Sequence, residues 1–165
     1  MITYEHTHDV RQVEPMIPHF VLHVGTEKLR LEFARQLVIT MTNSPNTVNV
    51  IQAWSYMETV EKELLGFIIG TNSVTQPYIL IPQAWSHPGN SFEIMDELFG
   101  RLVMWAASMG KTSVRAETTR NVESMFHRFG LTEIAKVIER KITPEESSAW
   151  AASLTKTLIS TLTPC

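Results

Sequence analysis

The stretch SVRAETTRNVESMFHRFGL, residues 113–131, holds the residues best suited to bind an anion. It is typical of a strand, a turn that carries Arg120 and Asn121, and a short helix that ends at Gly130. A guanidinium and an amide between a strand end and a helix start can reach a phosphate group. A local interpretation fits equally well, with Asn121 as a helix N-cap and Arg120 solvated or paired with a glutamate.

A second polar group follows a predicted strand, PYILIPQAWS, and comprises His87, Pro88, Gly89, Asn90 and Ser91. The first backbone N–H groups of a helix have no intrahelical partner, so a helix that begins here offers hydrogen-bond donors to an anion. Three carboxylates in its first two turns, Glu93, Asp96 and Glu97, would instead repel a phosphate. An ordinary self-capped helix start therefore remains the alternative.

Two residues near these groups could take a proton from a substrate. His87 ends the predicted strand, and Glu117 lies on another predicted strand, at residues 112–118. Each has a simpler interpretation, because His87 could be a solvated loop histidine and Glu117 could form an ion pair with Arg115 or Arg120.

Two further histidines, His19 and His23, have the spacing of metal ligands on one helical face. The string HFVLH lacks the glutamate of the metalloprotease motif, and a zinc site would need more ligands. We therefore expect no metal site.

Hydrophobic periodicity and turn signals predict the elements that position these residues. Their order is β-α-α-β-β-β-α-β-α-β-α, which indicates an α/β or α+β sandwich with a mixed sheet. The predicted strands are ITYE, VNVIQAWSYME, KELLGFIIGTN, PYILIPQAWS, 112–118 and LTEIAKVIERKI. The predicted helices start at Asp9, Thr26, Ser91, Val122 and Pro144. In the first of them, Asp9 and Gln12 have capping-box spacing, and Pro15 and Pro18 break the helix.

Apolar spacing also predicts which side of two helices is buried. In the helix that ends at Gly110, the expected buried residues are Ile94, Leu98, Leu102, Trp105 and Met109. In the helix from Thr26 to about Met41, they are Leu29, Phe33, Leu37 and either Thr40 or Met41.

The composition is that of a globular protein. The 165 residues are 44% hydrophobic and 19% charged, and the net charge of −3 argues against a protein that binds nucleic acid by neutralising phosphates. Because Cys165 is the only cysteine, no internal disulfide can form. No signal peptide and no long apolar run are evident, so we expect a cytoplasmic protein without nucleic-acid or membrane partners.

Three strings in this order, YILIPQAWSHPGN, LFGRLVMWAASMGKTSVRAET and RNVESMFHRFGL, resemble the GNAT superfamily of acetyl-CoA-dependent N-acetyltransferases. The likeness spans about residues 2–142 and is strongest from 78 to 131. It implies a GNAT-like mixed sheet flanked by helices at 1–142. Residues 143–165 would then be an extra C-terminal helix and tail, packed on the domain or on a partner. The strings also look like acetyltransferase-related proteins encoded by bacteriophages.

The resemblance implies an acetyl-CoA site in which Glu117 or His87 is the base. The residues it places against acetyl-CoA are Trp85, Pro88, Gly89, Asn90, Ser91, Arg120, Asn121 and Phe126. Phe126 stands where the family commonly has a tyrosine, and a phenyl ring cannot donate a proton to a departing thiolate.

Two functions therefore remain open. One is an enzyme that moves an acetyl group from acetyl-CoA to an amine of a small molecule or protein. The other is a catalytically degenerate GNAT-fold protein that binds another protein, as an inhibitor or assembly module. Trp150, Leu154 and Leu158 form an apolar stripe that suits a homodimer through the C-terminal helix.

Overall fold

The computed structural model describes residues 1–20, 27–56 and 62–116, all within one compact unit, Met1–Leu131. Several predictions lie outside the described residues and stay predictions. They concern His23, Glu117, Arg120, Asn121, Phe126, the predicted elements after residue 116 and the division between residues 142 and 143.

The described residues form five strands, two α-helices and three 3₁₀ segments. The strands are β1 (Ile2–Thr7), β2 (Val48–Tyr56), β3 (Lys62–Asn72), β4 (Tyr78–Ser86) and β5 (Ser113–Ala116). The α-helices are α1 (Glu27–Asn43) and α2 (Ser91–Ser108), and the 3₁₀ segments are Val10–His19, Pro45–Thr47 and Pro88–Asn90. Neither described α-helix is long and apolar enough to span a membrane.

The five strands form one mixed sheet in the order β1-β2-β3-β4-β5. The first four are antiparallel neighbours, and β5 runs parallel to β4, from the pair Tyr78–Ser113 to the pair Ile81–Ala116. A parallel pair needs a crossover connection, which α2 provides. The predicted mixed sheet flanked by helices is thus confirmed.

Each face of the sheet carries its own apolar core. The core on one face includes Val13, Met16 and Phe20 from the 3₁₀ segment, Ala34, Leu37 and Met41 from α1, and Val50, Phe67 and Ile69 from the sheet. The core on the other face includes Ile94, Leu98, Leu102 and Ala106 from α2, and Ile51, Ile68, Ile79 and Ile81 from the sheet. We call these the α1 face and the α2 face.

The buried sides of the helices differ in part from the prediction. Ile94, Leu98 and Leu102 are fully buried as expected, but Ala106 completes the α2 stripe, and Met109 lies beyond the helix end and is 38% exposed. The buried residues advance in i, i+4 steps, whereas the predicted set takes an i, i+3 step from Leu102 to Trp105, which is only partly buried.

The α1 stripe passes through Ala34, Leu37 and Met41, and Leu29 is 41% exposed. At 100° per residue, a stripe centred on these three positions turns Leu29 away from the sheet. The prediction for Leu29 was therefore wrong.

The segment after β1 is a 3₁₀ helix rather than an α-helix, because Pro15 and Pro18 lie inside it and cannot donate helical hydrogen bonds. Asp9 caps it by accepting a hydrogen bond from the backbone N–H of Arg11 at 3.0 Å. The predicted capping box with Gln12 is replaced by a backbone bond, in which Gln12 N–H donates to the Asp9 carbonyl at 3.0 Å.

Candidate functional site

The carboxyl end of β4 presents backbone N–H groups on the side of the strand that faces β5. The N–H of His87 donates to the Leu65 carbonyl of β3 at 2.8 Å. Along a strand, the N–H groups of successive residues point alternately to one neighbouring strand and to the other. Because the His87 N–H points to β3, the N–H groups of Ser86 and Ala84 point away from β3. The described part of β5 pairs with β4 from Tyr78 to Ile81.

Pro82 lies at an irregularity in the β3–β4 pairing. The β3–β4 register shifts between Ile69 and Thr71, so that Ile81 and Pro82 together lie opposite Gly70. A proline cannot donate to a neighbouring strand and is favoured at a bulge. The sequence predicted an edge, a bulge or a splayed strand here, and the structure shows a bulge.

Trp85 lies on the α1 face of β4 and is half-buried. Its indole stacks on the His19 imidazole, with ring centroids 3.6 Å apart and an angle of 18° between the planes. On the sheet it neighbours Phe67, whose ring centroid is 6.1 Å away. Trp85 therefore holds a histidine beside the last residues of β4.

The pKa of His19 lies below its usual value, first because of burial and then because of positive charge at His87 and Arg30. The imidazole is consequently favoured in its neutral form near neutral pH. Arg30 is itself anchored, since its Nε donates to the Phe20 carbonyl at 3.1 Å.

Sequence reasoning missed His19 as a site residue, because it considered His19 only as a metal ligand with His23. No local pattern could have revealed the contact, since His19 and Trp85 lie far apart in the chain.

The loop after β4 is a 3₁₀ turn, Pro88–Asn90, that leads into α2 at Ser91. The exposed His87 accepts a hydrogen bond at Nδ1 from the Gly89 N–H, at 3.3 Å. The neutral ring then carries its proton on Nε2. The protein thus already uses one backbone donor of the predicted anion site, and the His87 lone pair is engaged in this conformation.

The carboxylates of α2 differ in their surroundings. Glu97 accepts a hydrogen bond at 2.7 Å from Nε of Arg101, whose guanidinium also lies over the Tyr4 ring. The pKa of Tyr4 is raised, mainly by burial and then by the Glu97 charge. Arg101 thus offsets much of the Glu97 charge, whereas Glu93 is exposed in the first turn near the Pro88 loop.

Trp85, His87, Pro88, Gly89 and Ser91 lie at the junction of β4 and α2, and their role in an acetyl-CoA site stays a prediction. Asn90 belongs to the same 3₁₀ turn. Across the described ranges, no group of three or more histidine, cysteine, aspartate or glutamate side chains is placed to hold a metal ion.

Solved structures with the same architecture are acetyltransferases. An aminoglycoside 6'-N-acetyltransferase from Acinetobacter baumannii matches with a TM-score of 0.64 and 15% identity, over 87% of this chain and 99% of its own. The chain has the GNAT acetyltransferase fold. A predicted acetyltransferase from Clostridium acetobutylicum, solved with acetyl-CoA, matches with a TM-score of 0.64 and 12% identity, over 86% of this chain and 96% of its own.

The glucosamine-6-phosphate N-acetyltransferase of Arabidopsis thaliana matches with a TM-score of 0.59 and 10% identity, over 87% of this chain and 99% of its own. No protein-family model and no curated protein sequence matches the chain. At these identities the likeness shows the GNAT fold, and the functional argument depends on the residues of this chain.

Proposed function

We propose that this protein is an N-acetyltransferase, which transfers the acetyl group of acetyl-CoA to an amine of a small molecule or protein. The observation that carries the proposal is the carboxyl end of β4, where the N–H groups of Ala84 and Ser86 point away from β3, next to the start of α2. In a GNAT fold, such a strand end suits a thioester that lies along it.

Acetyl-CoA would supply an activated acetyl thioester. The β4 N–H groups of Ala84 and Ser86 would donate to its carbonyl oxygen, where negative charge develops when the amine attacks. The first backbone N–H groups of α2, beyond Gly89, would bind phosphate oxygens. From the sequence, Arg120 and Asn121 would add charged and amide donors, and Phe126 would pack against the acyl chain.

The amine must lose a proton so that its lone pair can attack the carbonyl carbon. His87 and Glu117 were the bases predicted from sequence, and His19 now joins them. His87 would first have to release the Gly89 N–H, because its Nδ1 accepts that hydrogen bond. A neutral His19, held against Trp85, could accept the proton directly. We therefore favour His19 as the base.

A second candidate function is the non-catalytic binding or inhibitory module. It is supported by the hydrogen bond from Gly89 to His87 and by the exposed Glu93, both of which work against a phosphate at this helix start. A homodimer through residues 143–165, a cytoplasmic location and a bacteriophage origin are likewise proposals, derived from the sequence.

The deciding experiment is calorimetric titration with acetyl-CoA of the wild type, Arg120→Ala and His19→Gln. Arg35→Ala, which removes an exposed arginine of α1, is the matched control. We expect micromolar binding that Arg120→Ala weakens about tenfold, the usual effect of losing a charge-assisted hydrogen bond. His19→Gln should bind acetyl-CoA normally.

Turnover is then measured as thiol release from acetyl-CoA with a panel of amines. His19→Gln should release thiol far more slowly than the wild type while binding acetyl-CoA equally well. If the wild type gives no heat up to millimolar acetyl-CoA, the enzyme proposal fails and the binding module is favoured. Binding without any thiol release would indicate a CoA-binding protein without turnover.

A further inference from the structure

A cavity at the opposite end of the sheet from the Pro88 loop brings together residues from three parts of the chain. Its volume is about 160 Å³, and it is lined by the end of β1, by residues between Pro45 and Asn49 and by the end of α2. The lining residues that matter below are His6, His8 and Met109. One water molecule needs about 10–15 Å³ of such space, so the cavity has room for a metal ion and water.

His6 and His8 lie on the same side of the chain at the end of β1. Side chains two residues apart in an extended strand point to the same face. Both imidazoles are exposed and line the cavity, whereas Thr7 between them is buried. Imidazole nitrogens are ligands for copper, zinc and nickel, so two of them at one cavity can bind one metal ion.

Asn49 fixes the position of the proton on His6. Its side chain is only 3% exposed, and its Oδ1 lies 3.2 Å from Nδ1 of His6. An amide oxygen can only accept, so Nδ1 carries the proton and donates it, and Nε2 of the neutral ring keeps its lone pair. A metal-binding histidine usually donates its other ring N–H to an oxygen atom in this way. His6 is therefore held in the form that binds a metal ion through Nε2.

Met109 indicates which metal ion suits this cavity. Its N–H donates to the carbonyls of Trp105 at 3.1 Å and Ala106 at 3.2 Å, and its side chain lines the same cavity as the two histidines. A thioether is a soft ligand that selects copper(I). The described residues that line the cavity include no carboxylate, the ligand that magnesium, calcium and manganese prefer, and no lysine or arginine to repel a cation. Structural zinc sites normally need four ligands.

We propose that this cavity binds one copper(I) ion through Nε2 of His6, an imidazole nitrogen of His8 and the thioether sulfur of Met109. Two of these ligands are histidines and the third is a sulfur atom, so the site involves neither His19 nor His23, the pair considered from the sequence. It is also independent of the proposed acetyl transfer, which takes place at the other end of β4.

The test is an anaerobic titration of the full chain with copper(I), with bicinchoninate as a coloured competitor for the ion. The thiol of Cys165 would also bind copper(I), so every protein in the test carries Cys165→Ser. We expect one copper(I) ion per chain to be retained against the chelator, and an excess of zinc(II) should not displace it. If the protein retains no copper(I), or if zinc(II) displaces the ion, the proposal is wrong.

Substitutions locate the bound ion. His8→Gln and Met109→Leu should each raise the copper(I) dissociation constant by about tenfold or more, since the loss of an outer-shell partner alone costs about 10–100-fold. The matched controls are His87→Gln, an exposed histidine at the other end of the sheet, and Met104→Leu, which is 74% exposed on α2. Neither control should change the dissociation constant. A test variant that binds copper(I) as tightly as its control would overturn the assigned ligands.

Discussion

The imidazole of His19 stacks on the indole of Trp85, with ring centroids 3.6 Å apart. This contact joins the N-terminal 3₁₀ segment to the carboxyl end of β4, where the proposed acetyl site begins. In this position the pKa of His19 is lowered, first by burial and then by the neighbouring His87 and Arg30.

The lowered pKa of His19 predicts how stability depends on pH. The unfolded chain binds this proton at a higher pH than the folded chain, so the free energy of unfolding falls as the pH drops below 6.5. His19→Gln should therefore lose less stability than the wild type between about pH 8 and about pH 5. Urea unfolding of the wild type and of His19→Gln at the two pH values measures the difference. Equal losses of unfolding free energy in the two proteins would contradict the lowered pKa.

Removal of the Glu93 charge should strengthen acetyl-CoA binding. Glu93 is exposed in the first turn of α2, where its carboxylate would repel a phosphate. We expect Glu93→Gln to lower the dissociation constant by about two- to fivefold at low salt and by less at high salt. Calorimetry at two ionic strengths tests this. Glu32→Gln, which removes an exposed charge from α1, is the control and should have no effect.

Gly70 on β3 has no room for a side chain. An added Cβ would lie 2.5 Å from Cδ1 of Leu102 and 3.1 Å from a ring carbon of Trp105. Gly70→Ala should destabilise the fold by about 1–3 kcal/mol, the usual cost of overpacking. Gly100 on α2 has nothing within 4 Å of the same position. Gly100→Ala should stabilise the fold by about 0.5–1 kcal/mol through helix propensity. Denaturant unfolding of the two variants measures the change in the free energy of unfolding relative to the wild type. A change in the same direction for both variants would refute the packing argument.

Leu98 is the central anchor of α2 on the sheet and is fully buried. Leu98→Ala should lower the free energy of unfolding by about 2–5 kcal/mol, since it removes buried methyl groups and leaves a cavity. Met104 lies on the same helix but is 74% exposed. Met104→Ala should change the free energy by no more than about 0.5 kcal/mol. Thermal and urea unfolding of both variants measure the contrast, and similar losses would show that α2 packs differently.

Much of the fold could be predicted from local patterns. The β2–β3 hairpin, the strand with Pro82 and the stripe from Ile94 to Leu102 all follow from short-range periodicity and turn residues. The prediction failed for part of one helix, where the apolar spacing did not identify which residues face the sheet. Leu29 was expected to be buried, but the stripe through Ala34 turns it to solvent.

The candidate site was predictable only in part. The order of Trp85, His87 and Pro88 before a helix predicted an anion site, and the structure confirms the strand and the helix on either side of this segment but not the site itself. The hydrogen bond from Gly89 to His87 was not predictable, because it depends on a side-chain rotamer. The bond between His6 and Asn49 depends on strand register across the β1–β2 pair, which no local spacing reveals.

The sequence by itself determined the order and approximate position of the described strands and α-helices, because capping residues, prolines and apolar periods act over a few residues. It also determined the composition and charge that mark a globular domain. Only the tertiary structure decided that His19 lies on Trp85, that Gly70 must remain a glycine and that Asn49 is buried beside His6. These relationships join residues far apart in the chain, and they arise because one mixed sheet packs a helix on each face and brings distant segments within contact distance.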